Sequence, residues 1–264
     1  MTLLAALLFM VAMMTAAWAW QRRAGDIGWV DVFWTFGTAL AGLGLAWTGG
    51  PGGSPRRVLV SAVVAIWALR LGFYVALRVA RAPQEDGRYR ALREDWGRAL
   101  QARLFGFLQI QALVSTGLAL AIAVAANRPG ARLGAGDLLG LAIALVAIGG
   151  EALADRQMAV FRRDPANAGR ICDVGLWGWS RHPNYLFEWL GWFAYPAFAI
   201  DLSGGYPMGW WALLAPAAMF AVLRFGTGVP PLEDHMLRTR GDAFRAYRDR
   251  VPVFLPALSR RSPS

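Results

Sequence analysis

Long apolar runs separated by short arginine-bearing segments set the pattern of this chain. Runs near residues 2–20, 27–47, 58–80, 105–126, 137–158, 185–202 and 207–228 each approach the roughly 20 residues that carry a helix across a bilayer. The pattern predicts an all-α polytopic membrane protein with seven transmembrane helices. The second run is interrupted by glycines and the sixth is short, so six spans are the alternative. No basic stretch precedes the first run, and Arg22 and Arg23 follow it, which suits a retained span better than a cleaved signal. Gly- and Pro-rich segments at 48–55 and 127–136 read as turns between spans. After the last run, residues 230–256 begin with acids near Glu233 and continue with arginines around Phe244 and Tyr247. They read as an interfacial amphipathic helix ending at Pro252, within a single membrane domain.

Composition sharpens this picture. With 56% hydrophobic residues, 13 Trp and a mean hydropathy of +0.38, the chain is too apolar for an ordinary soluble domain. The net charge is +10, and every basic residue is an arginine. The segments at 21–26, 81–104, 159–184 and 229–264 hold most of them, whereas the opposite loops hold Arg56, Arg57, Arg128 and Arg132. The positive-inside rule therefore predicts an outer N-terminus and a cytoplasmic C-terminus. Such a charge suits anionic membrane lipid, and no soluble basic domain with interleaved aromatics offers itself to nucleic acid. One cysteine, Cys172, and two histidines, His182 and His235, give no metal-ligand spacing, so no metal is expected.

Charges within the apolar runs cost several kcal/mol each on insertion scales and need a cavity or a partner. Asp31, Arg70, Arg78, Glu151, Asp155, Glu188 and Arg224 are of this kind. Those near a span end can snorkel singly, but together they predict a polar chamber open to the cytoplasm. Glu151 and Asp155, four residues apart, share a helical face, and Arg162 and Arg163 follow two turns on. Carboxylates that accept from ribose hydroxyls and arginines that pair with phosphates suit a nucleotide; a salt bridge between helices is the alternative. No GxGxxG or GxxxxGK[ST] occurs, so any nucleotide must be held among helices. The segment from Gly175 to Trp189, GLWGWSRHPNYLFEW, is the densest polar stretch. A helix starting at Pro183 places Asn184, Tyr185 and Glu188 on one face, just after Arg181 and His182.

These residues carry a resemblance. The RHPNYLFE segment, the upstream Glu151 and Asp155 with Arg162 and Arg170, and the ending TGVPPLEDHM to VPVFLP resemble the steroid 5α-reductase family, over about Asp31 to Pro256. The resemblance implies a seven-helix reductase that binds NADPH on the cytoplasmic side and reduces the C=C bond of an enone lipid such as a 3-oxo-Δ4 steroid. It places Asp155, Arg162, Arg170, Asn184 and Glu188 on the cofactor, with Arg70, Arg81 and Arg224 as further arginines of that site. Glu151, Arg181, His182, Tyr185 and Glu233 complete the expected cofactor-binding set, Glu233 standing where animal members have a histidine. For the carbonyl end the resemblance implies an acid and a tyrosine. Asp31 is the candidate acid, kept protonated by its apolar surroundings so that it can donate. Trp67 stands at the tyrosine position, so Tyr74, Tyr89 or Tyr185 must replace it. Two rivals remain. A membrane methyltransferase using S-adenosylmethionine shares the RHPxY segment and a C-terminal acidic pair, here Glu233 and Asp234. A lipid-binding or transport protein would use the polar chamber for passage.

Overall fold

In the computed structural model, which describes residues 1–48, 55–82 and 84–255, the chain is helical throughout, and no strand occurs among the described residues. Six stretches are long and apolar enough to cross a membrane by length and composition: Leu3–Ala24, Trp29–Thr48, Pro55–Arg81, Gly87–Ala126, Ala135–Arg163 and Pro207–Arg250. The protein is therefore an all-α, polytopic membrane protein. The turn at 48–55, apart from its first and last residues, lies outside the described residues, as does Pro256.

The run at 185–202 departs from the seven-span expectation. It forms two short helices, α7 (Pro183–Trp192) and α8 (Ala194–Ala199), and is not among the six. Pro196 explains the break, because it has no N–H for the carbonyl of Trp192 and its ring collides with that carbonyl in a continuous helix. Helix α7 ends on that residue.

By internal contact the chain forms two compact units, each drawn from two separated stretches. Unit 1 is Met1–Ala142 with Trp192–Ala218; unit 2 is Ile143–Gly191 with Met219–Ser264. Unit 1 is built on α1 (Leu3–Ala24), α2 (Trp29–Thr48), α3 (Pro55–Arg81), α4 (Gly87–Trp96) and α5 (Leu100–Ala126). Met10, Met14 and Ala17 of α1, Ala41 of α2, and Leu104, Leu108 and Ala112 of α5 are fully buried in one cluster. Lipid tails are as apolar as these side chains, so close packing rather than escape from water holds the helices together. An aromatic column runs Trp34, Trp67, Trp192, Tyr195, with ring centroids 6.1, 5.5 and 5.2 Å apart.

The loop after α5 is more than a turn. Asp137, fully buried near the start of α6 (Ala135–Arg163), accepts from Arg56 Nε at 2.6 Å and Nη2 at 2.8 Å, from Arg128 Nη2 at 3.0 Å, and from the Gly134 N–H at 2.8 Å. Arg56 also donates to the carbonyls of Arg128, Pro129 and Arg132, so one guanidinium gathers the whole loop. Arg56 and Arg128 are two of the few arginines the sequence assigns to that side, and the structure spends them on folding.

Unit 2 holds α6 from Ile143 onward, nearly all of α7, the end of α9 (Leu214–Phe225) and α10 (Val229–Arg250). The amphipathic segment expected at 230–256 is helical over Val229–Arg250, with a kink at Gly241, whose φ of 50° and ψ of −122° favour glycine. Phe244, Tyr247 and Val251 bury one side of it against Ile171, Met236 and Leu237.

Candidate functional site

The polar residues of unit 2 are set by contacts that neighbour them in sequence. An ideal Cβ at Gly150 would lie 2.3 Å from the Phe187 ring, so only glycine lets α6 and α7 meet at that point. The next residue is Glu151, which is buried, as is Asp155 one turn later. A 3-10 turn over Gly175–Gly178 fastens to the same stretch of α6. Trp177 Nε1 donates to the Ala154 carbonyl at 3.0 Å, and the Leu176 N–H donates to Gln157 Oε1 at 3.0 Å. Pro183 then opens α7, where its missing N–H costs nothing. Asn184 and Tyr185 are half-buried there, and Glu188 is buried.

The C-terminal segment holds the other side of this turn. Tyr247 OH donates to the Trp177 carbonyl at 2.6 Å, Ser180 Oγ to the Val253 carbonyl at 2.9 Å, and the Arg181 N–H to the Pro252 carbonyl at 2.9 Å. The Arg181 guanidinium spans the gap: Nε and Nη2 donate to Glu233 at 2.8 and 3.3 Å, and Nη1 donates to the carbonyls of Arg248 and Val251. His182 Nε2 lies 2.9 Å from Glu233 Oε1, and Arg248 adds an ion pair at 3.7 Å. Arg181 and Glu233, both expected on the cofactor, are thus largely committed to each other. A buried arginine takes the nearest carboxylate, and helix α10 supplies one across 52 residues of sequence.

His182 is 3% exposed, and its ring stacks on Tyr185 at 5.5 Å with an interplanar angle of 10°. Burial pushes its pKa below the ordinary imidazole value, with the Glu233 hydrogen bond opposing in part. Since a carboxylate only accepts, the hydrogen-bond network assigns the ring proton to Nε2. Nδ1 is then a lone pair, and it is buried with no hydrogen-bond partner among the described residues.

Four other unit 2 arginines singled out by the sequence differ from these. Arg162 and Arg170 are exposed, as is Arg163, while Arg224 is half-buried with its guanidinium 5.1 Å from the centre of the Phe225 ring.

In unit 1 the structure joins Asp31 with Tyr89. Tyr89 OH donates to Asp31 Oδ1 at 2.7 Å, and Arg88 Nη2 donates to Asp31 Oδ2 at 3.0 Å. This departs from the expectation of an Asp31 that donates: both of its oxygens accept here, one of them from a guanidinium. The proton available here is on Tyr89, which is buried. Asp86 positions the pair by capping α4, accepting from the Arg88 N–H at 3.0 Å and from Arg88 Nε at 3.3 Å. Burial raises the Asp86 carboxyl, but the adjoining Arg88 and Arg78 outweigh it and hold the group well below the usual carboxylate range. Arg70 and Arg78 flank the Tyr74 ring at 5.6 and 5.9 Å; Arg81 is exposed. Arg88 and Asp86 are not among the expected site residues. The DGRYR stretch holds the signal: an N-capping aspartate placed two residues before an arginine and three before a tyrosine.

Comparison with known proteins adds a family and one partial relative. An uncharacterized protein of Schizosaccharomyces pombe, C594.04c, is 31% identical over 99 residues, covering 37% of this chain and 27% of that protein. This chain therefore matches only about a quarter of that relative's length. No solved structure matches. The family described as "Protein of unknown function (DUF1295)" matches residues 17–251, which takes in both the Asp31 and the His182 clusters, and the chain belongs to it.

Proposed function

We propose that this protein is an NADPH-dependent reductase of the C=C bond of an enone lipid, a 3-oxo-Δ4 steroid being the type substrate. The observation that carries the reading is the unit 2 cluster. Buried carboxylates at Glu151 and Asp155 of α6 and Glu188 of α7, half-buried Asn184 and Tyr185, and exposed Arg162 and Arg170 fall along the second half of α6, the segment after it and the start of α7. These residues fit a dinucleotide by donor type: carboxylates accept from ribose hydroxyls or an adenine amine, arginines pair with phosphates, and His182 Nδ1 is a buried acceptor with no donor. When bound, NADPH supplies the hydride.

The other residues manage charge and water. Reduction of an enone builds negative charge on its carbonyl oxygen, and a buried donor aimed there lowers the barrier. Tyr89 is assigned that role. Its proton is directed at Asp31, so polarising a carbonyl requires the hydroxyl to rotate away, leaving Asp31 paired with Arg88. The apolar spans exclude water from the reduced product. The same reading puts the arginine-rich segments and the C-terminus on the cytoplasmic side.

A second reading has one observation of its own. Membrane methyltransferases share the RHPxY segment and a C-terminal acidic pair, and here Glu233 is bonded to both Arg181 and His182. One experiment separates the two. Purified protein is mixed with NADPH and a 3-oxo-Δ4 steroid while the near-ultraviolet absorbance of NADPH is followed, and S-adenosylmethionine binding is measured in parallel. Steroid-dependent loss of NADPH supports the reductase; no loss together with tight S-adenosylmethionine binding overturns it in favour of the methyltransferase.

A further inference from the structure

Buried hydroxyls in this protein differ: Thr38 and Ser115 have no hydrogen-bond partner among the described residues, while others find one close by. Thr35 and Thr116 donate to the carbonyls of Asp31 and Ala112 at 2.8 Å, one helical turn back. A rotatable hydroxyl can do so at little cost. An imidazole has no such freedom: its two nitrogens point in opposed directions, and fixing one fixes the other. In His182 the fixed end is Nε2, held by Glu233. Glu233 is itself held by Arg181 and Arg248, and the ring face is stacked on Tyr185. Four contacts thus aim Nδ1 in a single direction, and that atom has no partner among the described residues. The charged groups that act on the ring are Glu233, Arg181 and Arg224. Burying an acceptor unpaired carries a desolvation penalty that natural interiors seldom leave uncompensated.

We infer that His182 Nδ1 accepts a hydrogen bond from an N–H donor of the bound nucleotide, either the carboxamide of the nicotinamide or the amine of the adenine. This rests on the NADPH reading and adds the atom, the tautomer and the donor chemistry to it. Glu233 and Arg181 serve as positioning residues: they do not face the nucleotide but fix the tautomer that exposes a lone pair instead of a proton. A ligand end that carries only acceptors, such as a phosphate or a carboxylate, does not suit this position.

Two substitutions separate the two ends of the ring. In His182→Gln the longer amide reaches the Nε2 position, keeping a donor for Glu233 but no acceptor at Nδ1. In His182→Asn the shorter amide keeps an oxygen at the Nδ1 position and gives up Glu233. Binding of NADPH to the full chain in detergent is measured by calorimetry, beside its thermal midpoint. The expected result is that His182→Gln melts near the wild type and binds NADPH at least tenfold more weakly, whereas His182→Asn melts lower and binds within a few-fold of the wild type. Two analogues name the donor: reduced 3-acetylpyridine adenine dinucleotide phosphate lacks the carboxamide N–H, and the reduced hypoxanthine dinucleotide lacks the adenine amine. The analogue lacking the right donor binds the wild type at least tenfold more weakly than NADPH and loses nothing further in His182→Gln.

Wild-type affinity for NADPH in His182→Gln, or wild-type protein binding both analogues as tightly as NADPH, overturns the inference. Failure of the wild type to bind NADPH overturns the reductase reading instead, and the series is then read with S-adenosylmethionine. Tenfold weaker binding of that ligand to His182→Gln upholds an N–H donor at Nδ1, here the adenine amine or the α-ammonium of the methionine end. Equal binding, or no binding of either ligand to the wild type, overturns it.

Discussion

Asp137 in unit 1 and Glu233 in unit 2 are both buried carboxylates that receive arginines, yet they end differently. At Asp137 the three nitrogens of Arg56 all have partners, Arg128 adds a further donor, and the Gly134 N–H completes the set. At Glu233 the arginine is similarly engaged, but the second donor is an imidazole whose far nitrogen has no partner. A closed ionic node fixes a loop and does nothing else. A node that ends on an aimed, unpaired acceptor fixes a turn and also presents an atom to something outside the chain. Connectivity, rather than the number of charges, separates a structural cluster from a candidate site.

The largest effect is expected where the node is closed. Asp137→Ala strands Arg56 as a buried cation and should cost about 3–5 kcal/mol, read as a large fall in thermal midpoint in detergent; an unchanged midpoint would mean the node is not holding the loop. Glu233→Gln removes a charge shared by Arg181, His182 and Arg248. It should cost about 2–4 kcal/mol and weaken NADPH binding as well, because the His182 tautomer is no longer fixed. A stability loss without any change in binding would reduce this node to the same kind as Asp137. Tyr89→Phe deletes the phenol proton, and kcat for enone reduction should drop about a hundredfold while NADPH affinity stays put; equal kcat removes Tyr89 from the chemistry. Tyr247→Phe loses one bond to the Trp177 carbonyl and should cost about 1 kcal/mol, measured by thermal unfolding.

The smallest effect is a pH dependence whose sign follows from His182. Its pKa is lower in the folded protein than in the unfolded chain, so the unfolded chain takes up a proton first as the medium acidifies. The stability tied to the neutral ring is complete above about pH 6.5 and declines as the pH falls below that value. Asp86 has the same sign at lower pH, complete above about pH 4 and lost as acid approaches its depressed folded value. Thermal midpoints taken from pH 8 to 5 should fall, and the fall should flatten in His182→Gln. An equal slope in that variant assigns the dependence elsewhere.

Much of the fold was legible in the sequence because spanning a bilayer needs an apolar run of fixed length. The first five expected spans all fall on long helices. The sixth is broken into two short helices and is not among the six long ones, since hydropathy does not register that Pro196 cannot donate to the carbonyl one turn back. Around the candidate site, the helix start at Pro183 and the shared face of Glu151 and Asp155 follow from local rules of spacing and capping. The mutual engagement of Arg181, His182 and Glu233 does not, because it joins residues about fifty positions apart. For the same reason Asp31 reads alone as a protonated acid in apolar surroundings, and only its meeting with Arg88 and Tyr89, nearly sixty positions on, makes it an acceptor.

The sequence by itself determined that this protein is a polytopic helical one and which residue types its polar stretches carry, since both depend on neighbours along the chain. The tertiary structure alone decided which charges cancel, which proton sits on which atom and which acceptor is left over. Those outcomes depend on what meets a side chain through space, where a carboxylate brought by a distant helix reverses what the local sequence implies.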